Sequence, residues 1–268
     1  MERISDYAPC TPLSPVGFFD SGKGGLSILA RFKAICPFES TVYIADDANV
    51  PYGTRPPEEI LRLSKTNVER LRREYGCKMV VIACNTATAA AIDVLRGESP
   101  SYPFVGVEPA VKPAAQLSKS GKVAVLATAG TFGGRLFRQT KNRFAKNVEV
   151  INVQAPEFVE MVERGETSGD DAAEKVERRI KPLLDAGCDV IVLGCTHFPH
   201  LKKLIEKAAQ SRATVIDPSD AVARRARDVL VAAGLAAPAG TGVKHVEIST
   251  MANALKADSS PLGPLNRF

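Results

Sequence analysis

The chain has 268 residues, enough for one large α/β domain or two compact ones of about 100–130 residues each. With 45% hydrophobic, 24% charged and 6% aromatic residues and no Trp, it has a globular composition but few rings for stacking the bases of single-stranded nucleic acid. The net charge of +5 is spread over Lys and Arg interleaved with acids. The richer patches, Arg224–Arg227 and Arg135–Lys146, read as solvated helix faces, so nucleic acid is not an expected partner; a small anionic substrate is.

Residues 1–15 hold Glu2, Asp6 and three prolines but no apolar stretch of signal-peptide length. They are expected to form a flexible arm outside the secretory route. No apolar run approaches the ~20 residues of a membrane helix, so no membrane partner is expected and the default location is the cytoplasm. There the six cysteines should be free thiols. None forms a CxxC pair, and only three histidines are present, which argues against structural zinc.

From Val16 onward, apolar runs alternate with amphipathic stretches. Strands are expected at Val16–Phe19, Val42–Ala45, Met79–Ala83, Phe104–Val107, Val123–Ala127, Val148–Val153, Val190–Leu193 and Thr214–Ile216. Continuous Val/Ile runs of this kind suit parallel strands covered on both faces. Helices are expected at Glu58–Glu74, Ala87–Leu95, Asp170–Leu184 and Pro199–Ala209. This alternation predicts βαβ units and mainly parallel sheets flanked by helices.

One internal repeat sets the architecture. Residues 76–86 read Gly-Cys-Lys-Met-Val-Val-Ile-Ala-Cys-Asn-Thr, and residues 187–197 read Gly-Cys-Asp-Val-Ile-Val-Leu-Gly-Cys-Thr-His. The offset, 111 residues, is too long for a solenoid and predicts two similar α/β domains, pseudo-twofold related, with a site in the cleft between them. The expected division is 16–108 plus 218–268 for the first domain and 109–217 for the second.

Ligands of open parallel sheets bind beyond the carboxyl ends of the strands. Four polar loops fall there, beginning at Asp20, Asp46, Cys84 and Cys195. Cys84 and Cys195 occupy equivalent places in the repeat, and each precedes an expected helix, whose N-terminus should lower a thiol pKa and could hold a carboxylate. Cys10, Cys36, Cys77 and Cys188 are read instead as small buried hydrophobes. Two opposed thiols suit inversion of a carbon centre, one removing a proton while the other delivers one. Asp20 could serve the proton of Cys84, and His197 that of Cys195. In the plainer alternative Asp20 caps a helix and His197 is a satisfied loop histidine.

Asp20-Ser21-Gly-x-Gly-Gly-Leu-Ser, Pro51-Tyr52-Gly53, Ala83-Cys84-Asn85-Thr86-Ala87-Thr88-Ala89 and Leu193-Gly194-Cys195-Thr196-His197-Phe198-Pro199 together resemble glutamate racemase, in order and spacing, from about Val16 to Val231. The Cys-Thr-His form of the last motif resembles glutamate racemases more than aspartate racemases. The resemblance implies racemisation of glutamate with no cofactor, neither pyridoxal phosphate nor metal. It implies Cys84 and Cys195 as the bases, and Asp20, Ser21, Tyr52, Gly53, Asn85, Thr86, Thr196 and His197 as substrate contacts or supports of the thiols. Glu163 matches a family carboxylate near the site. A homodimer and D-glutamate for peptidoglycan are further implications. The chain departs from the family pattern at Lys23, at Gly133-Gly134 with Phe137, and over His245–Met251.

Three other readings stand beside this one. A different racemase of the superfamily, such as one acting on aspartate, would share the motifs. Gly17-x4-Gly22-Lys23-Gly24 nearly reproduces a phosphate-binding P-loop, but Gly24 stands where the magnesium-binding hydroxyl belongs and Gly17 falls inside a strand. A binding protein without catalysis would need only the scaffold.

Overall fold

The computed structural model describes residues 10–251. Residues 1–9 of the expected arm, and the tail from Ala257, lie outside them. Among the described residues, nine strands form two sheets: β1 Val16–Asp20, β2 Thr41–Ala45, β3 Met79–Ile82, β4 Phe104–Gly106, β5 Lys122–Ala127, β6 Glu149–Gln154, β7 Val190–Leu193, β8 Thr214–Ile216 and β9 His245–Ser249. The first sheet runs β4-β3-β1-β2-β9 and the second β6-β5-β7-β8. Every pairing among them is parallel.

β2-β1-β3-β4 and β6-β5-β7-β8 are the same order. The sequence repeat therefore falls on equivalent strands, because β3 and β7 share the 111-residue offset residue for residue. Both are wholly buried, as a continuous Val/Ile run between neighbours requires. Gly76 and Gly187, which open the two repeats, take φ of +59° and +89°, a region that side chains with a Cβ rarely adopt.

Helices cover both sheets. Leu26–Ile35 and Ser219–Ala232 bury Ile28, Leu29, Phe32, Val222, Ala223, Ala226 and Leu230 against one face of the first sheet. Pro57–Arg73 and Asn85–Glu98 close its other face. Asp170–Asp185 and Lys202–Ala209 pack on the second sheet with Phe158 and Phe198. A buried ion pair, Lys78 Nζ to Glu39 Oε2 at 2.6 Å, ties neighbouring segments to the first sheet: Lys78 also donates to the Pro12 carbonyl, and Glu39 accepts from the Ala237 N–H. We propose the domain division on this basis, with 16–108 and 218–251 around the first sheet and 109–217 around the second; the rest of the expected first domain, to 268, lies outside the described residues.

Three expectations are corrected. The helix expected over Pro199–Ala209 is a 3-10 turn at Phe198–Leu201 followed by an α-helix at Lys202–Ala209; Pro199 in the first turn has no N–H to give. β9 was not foreseen. It is an exposed edge strand whose apolar residues alternate with polar ones, paired to β2 from Thr41↔His245 to Ala45↔Ser249. Cys10 is exposed and Cys36 half-buried, so neither is a fully buried hydrophobe; Cys77 and Cys188 are buried as expected.

Candidate active site

A cavity of about 210 Å³ opens at the carboxyl ends of the strands of both sheets. Cys84, just past β3, and Cys195, just past β7, both line it. So do Ser21, Tyr52, Gly53, Asn85, Thr86, Thr196 and His197. Asp20 and Glu163 support the site without lining it. The eleven expected site residues therefore gather around one space, from five separate chain segments.

Around Cys84 the local structure follows from the turn out of β3. The residue is extended and caps the helix Asn85–Glu98, its sulfur accepting the Ala87 N–H at 3.5 Å. The thiol donates to Ser21 Oγ at 3.7 Å. Asp20 is fully buried, and its Oδ2 accepts the N–H groups of Gly22 and Gly25 at 3.2 and 3.1 Å. Burial raises the Asp20 pKa, although the charge of His197, those two N–H groups and the Cys84 thiol all pull it back.

The expectation of a lowered pKa at Cys84 is overturned. Burial, the largest cause, and the neighbouring Asp20 carboxylate push this thiol far above its ordinary value, outweighing the helix N–H. The helix terminus acts, but the side chain is only 4% exposed and a buried thiolate beside a carboxylate is costly. Cys195 contributes to the same rise, so each sulfur lies within the electrostatic reach of the other.

On the opposite side Cys195 meets His197 Nδ1 at 3.6 Å, and His197 Nε2 meets Glu163 Oε1 at 2.6 Å. Burial alone would lower the His197 pKa. The Cys195 sulfur and the Glu163 carboxylate overcome it and raise the imidazole to about 10. In turn Glu163 is held below its ordinary value: burial opposes this, but His197 and the Lys23 N–H, 3.2 Å from Oε1, prevail. The two thiols thus have unlike surroundings. Cys84 shares its corner with the Asp20 carboxyl group, whereas Cys195 faces the imidazole of His197.

The His197 pair has a pH signature. Its folded pKa lies above the ordinary 6.5, so its contribution to stability is complete below about 6.5 and lost as pH rises through about 10. Glu163→Gln keeps a hydrogen-bond acceptor but removes the charge. It is expected to move the alkaline limb of the pH–rate profile down by ~1 unit, read from kcat/KM between pH 7 and 10. An unmoved limb would separate Glu163 from the proton path.

The two sides are joined by close backbone approach. Thr196 Oγ1 donates to Asp20 Oδ1 at 3.2 Å. A Cβ on Gly24 would lie 2.8 Å from the Thr196 carbonyl carbon and the His197 nitrogen, so glycine is needed where the β1 and β7 loops cross. Lys23 is exposed. Gly17 lies inside β1 against Cys77, and Gly24 is committed to this crossing, so no phosphate cradle forms here.

Sequence reasoning missed part of the lining: Thr128, just past β5, Gln154, which ends β6, and Val159 and Glu160, within the helix Pro156–Glu163. Thr128 Oγ1 is 2.8 Å from Thr86 Oγ1. The strand-end rule that found Cys84 and Cys195 applies equally to β5 and β6 and would have found Thr128 and Gln154, but not Val159 and Glu160. Asp46, which opens one of the four polar loops, lies buried behind Tyr52; its sequence surroundings point to no role.

The family model for Asp/Glu/hydantoin racemases matches residues 24–226. The chain belongs to that family. It is 45% identical over 224 residues to a glutamate racemase of Herpetosiphon aurantiacus, covering 84% of this chain and 87% of that one. Against a glutamate racemase of Pseudomonas aeruginosa it is 45% identical over 222 residues, covering 83% of each. Among solved structures, an Escherichia coli glutamate racemase in complex with L-glutamate and the activator UDP-MurNAc-ala superposes with a TM-score of 0.77 at 30% identity, over 88% of this chain and 89% of that one. A Bacillus anthracis glutamate racemase isoform gives 0.78 at 30% identity, over 88% of each chain. The two-sheet architecture is thus that of the family's racemases.

Proposed function

We propose that this protein interconverts L- and D-glutamate without a cofactor, with Cys84 and Cys195 exchanging the α-proton from opposite faces. The observation that carries the reading is the opening of two equivalent strand-end thiols onto one cavity, in a chain 45% identical to glutamate racemases. The cavity volume, about 210 Å³, is below the ~300–1,000 Å³ of drug-sized pockets and suits a small amino acid.

Among the described residues lining it, none is Lys or Arg. Carboxylates are therefore met by hydroxyls of Ser21 and Thr86 and by free N–H groups opening the helix Asn85–Glu98. Asn85 Oδ1 is buried with no hydrogen-bond partner among the described residues, because Nδ2 turns to the Val107 carbonyl at 3.5 Å. An ammonium group supplies the missing donor. Electron density released at the α-carbon spreads into the substrate's α-carboxylate, which the same N–H groups stabilise.

In one direction we assign the base to Cys195, beside His197, and the acid to Cys84. Turnover leaves the roles reversed: the Ala87 N–H and the substrate ammonium then stabilise the Cys84 thiolate. The enantiomer formed enters next in the opposite direction. We place the enzyme in the cytoplasm, whose reducing conditions keep both thiols free, as a homodimer supplying D-glutamate to peptidoglycan. Among the described residues no helix is long and apolar enough to cross a membrane.

Polarimetry on L- and D-glutamate, with aspartate alongside, tests the assignment. Both glutamate enantiomers are expected to reach a racemic mixture while aspartate stays inert. Loss of rotation with aspartate alone would move the assignment to that substrate.

A further inference from the structure

The cavity wall formed by Val50–Thr54 hangs on a carboxylate that does not itself touch the cavity. Asp46 directly follows β2, is 2% exposed, and has both oxygens filled. Oδ2 accepts Tyr52 Oη at 2.5 Å and Asn67 Nδ2 at 3.1 Å. Oδ1 accepts Asn49 Nδ2 at 2.9 Å and Thr250 Oγ1 at 3.1 Å. A carboxylate has about four lone-pair sites, and these four contacts occupy them. Its own N–H donates to the Asp20 carbonyl at 2.9 Å, which fixes the node to the strand end that supports Cys84.

Thr250 is the distant member of this node. It follows β9, some 200 residues further along the chain, where the sequence departs from the family pattern. Its hydroxyl lies 3.1 Å from both Asp46 Oδ1 and Asp47 Oδ1 and accepts the Ala48 N–H at 3.1 Å. Asp47 further accepts from Ser249 Oγ at 2.6 Å and from the Met251 N–H at 2.8 Å. The end of β9 is thereby clasped to the 3-10 turn Asp47–Asn49, the segment leading into the wall. Asp47 is held below its ordinary carboxylate pKa; its partial burial opposes this, but these donors outweigh it.

We propose that Thr250 is a positioning residue for substrate binding: through Asp46 and Asp47 it holds Tyr52 and Gly53 in place against the substrate. This rests on the glutamate racemase reading for its substrate but not for its geometry. A wall that touches substrate and transition state alike affects binding more than the chemical step.

The test compares Thr250→Val, which keeps shape and loses the hydroxyl, with Thr250→Ser, which keeps the hydroxyl. Thr250→Val is expected to raise KM for glutamate about tenfold with kcat in both directions within about threefold, and Thr250→Ser to restore KM. A purely structural role would instead lower Tm and the active fraction, hence apparent kcat, with KM unchanged; that result overturns the proposal. A second readout needs no turnover. Iodoacetamide alkylation of Cys84, followed by mass spectrometry with buried Cys188 as internal reference, should speed up about fivefold in Thr250→Val, and an unchanged rate also overturns it. If the unsubstituted protein fails to racemise glutamate, the substrate assignment falls, while the alkylation rate still decides the clasp.

Discussion

Cys84→Ser and Cys195→Ser are each expected to lower racemisation in both directions by at least ~10³-fold while leaving the fold intact. The magnitude follows from what a positioned acid or base contributes, ~10²–10⁴-fold, and from the poor acidity of a serine hydroxyl in the same place. Racemisation needs both faces, so either loss stops the full reaction. One base remains in each variant, however. Each should still exchange the α-proton of one glutamate enantiomer with solvent, or eliminate a suitable leaving group from it, with opposite enantiomers for the two variants. Chiral separation and circular dichroism melting check these outcomes together. Near-normal turnover in either folded variant would refute the two-thiol mechanism.

Gly24→Ala is expected to reduce kcat/KM by about 10²-fold or more, although the side chain gained is a single methyl group. Its Cβ would meet the Thr196 carbonyl carbon and the His197 nitrogen at 2.8 Å. Both are backbone atoms, which cannot turn aside as the end of a flexible side chain can. The loops after β1 and β7 must separate, and the hydrogen bond from Thr196 to Asp20 breaks first. Displacements of about 1 Å between reacting groups can cost ~10²-fold. Gly97→Ala provides the contrast. Gly97 lies in the helix Asn85–Glu98, and a Cβ there meets nothing within 4 Å. That substitution should leave turnover unchanged and stabilise the fold by ~0.4–1 kcal/mol. Steady-state kinetics and thermal melts on the two variants separate crowding at the site from a general effect of alanine; equal activity in both would remove Gly24 from the site.

How much of this was legible in the chain depended on the range of the interaction. The repeated strands were readable because β3 and β7 are buried on both faces, which forces uninterrupted Val and Ile, and because equivalent strands carry equivalent Gly, Cys and polar residues. Placing Cys84 and Cys195 on one cavity required only the strand-end rule and that repeat. β9 was missed because an edge strand is covered on one side only, so its residues alternate weakly after a stretch rich in Gly and Pro. The Asp46–Thr250 clasp joins positions 204 residues apart, and no local pattern records such a pairing.

The misjudged charge state of Cys84 has a similar origin. A helix N-terminus is visible in sequence, but the depth of burial and the proximity of Asp20 are properties of the packed site, and they reverse the sign of the shift. His197 and Glu163 illustrate the other side. Neither residue announces a partner locally, yet together they give Cys195 surroundings opposite to those of Cys84.

Deuterium incorporation during early turnover tests the central claim most directly. L- or D-glutamate is incubated with the enzyme in D₂O, and the α-position of both enantiomers is examined before a tenth of the substrate has reacted. Two opposed thiols predict deuterium in the enantiomer formed and protium in the substrate recovered, in both directions. Equal labelling of the two enantiomers, or transfer of the substrate's own proton to the product, would mean that a single group serves both faces and would contradict the account.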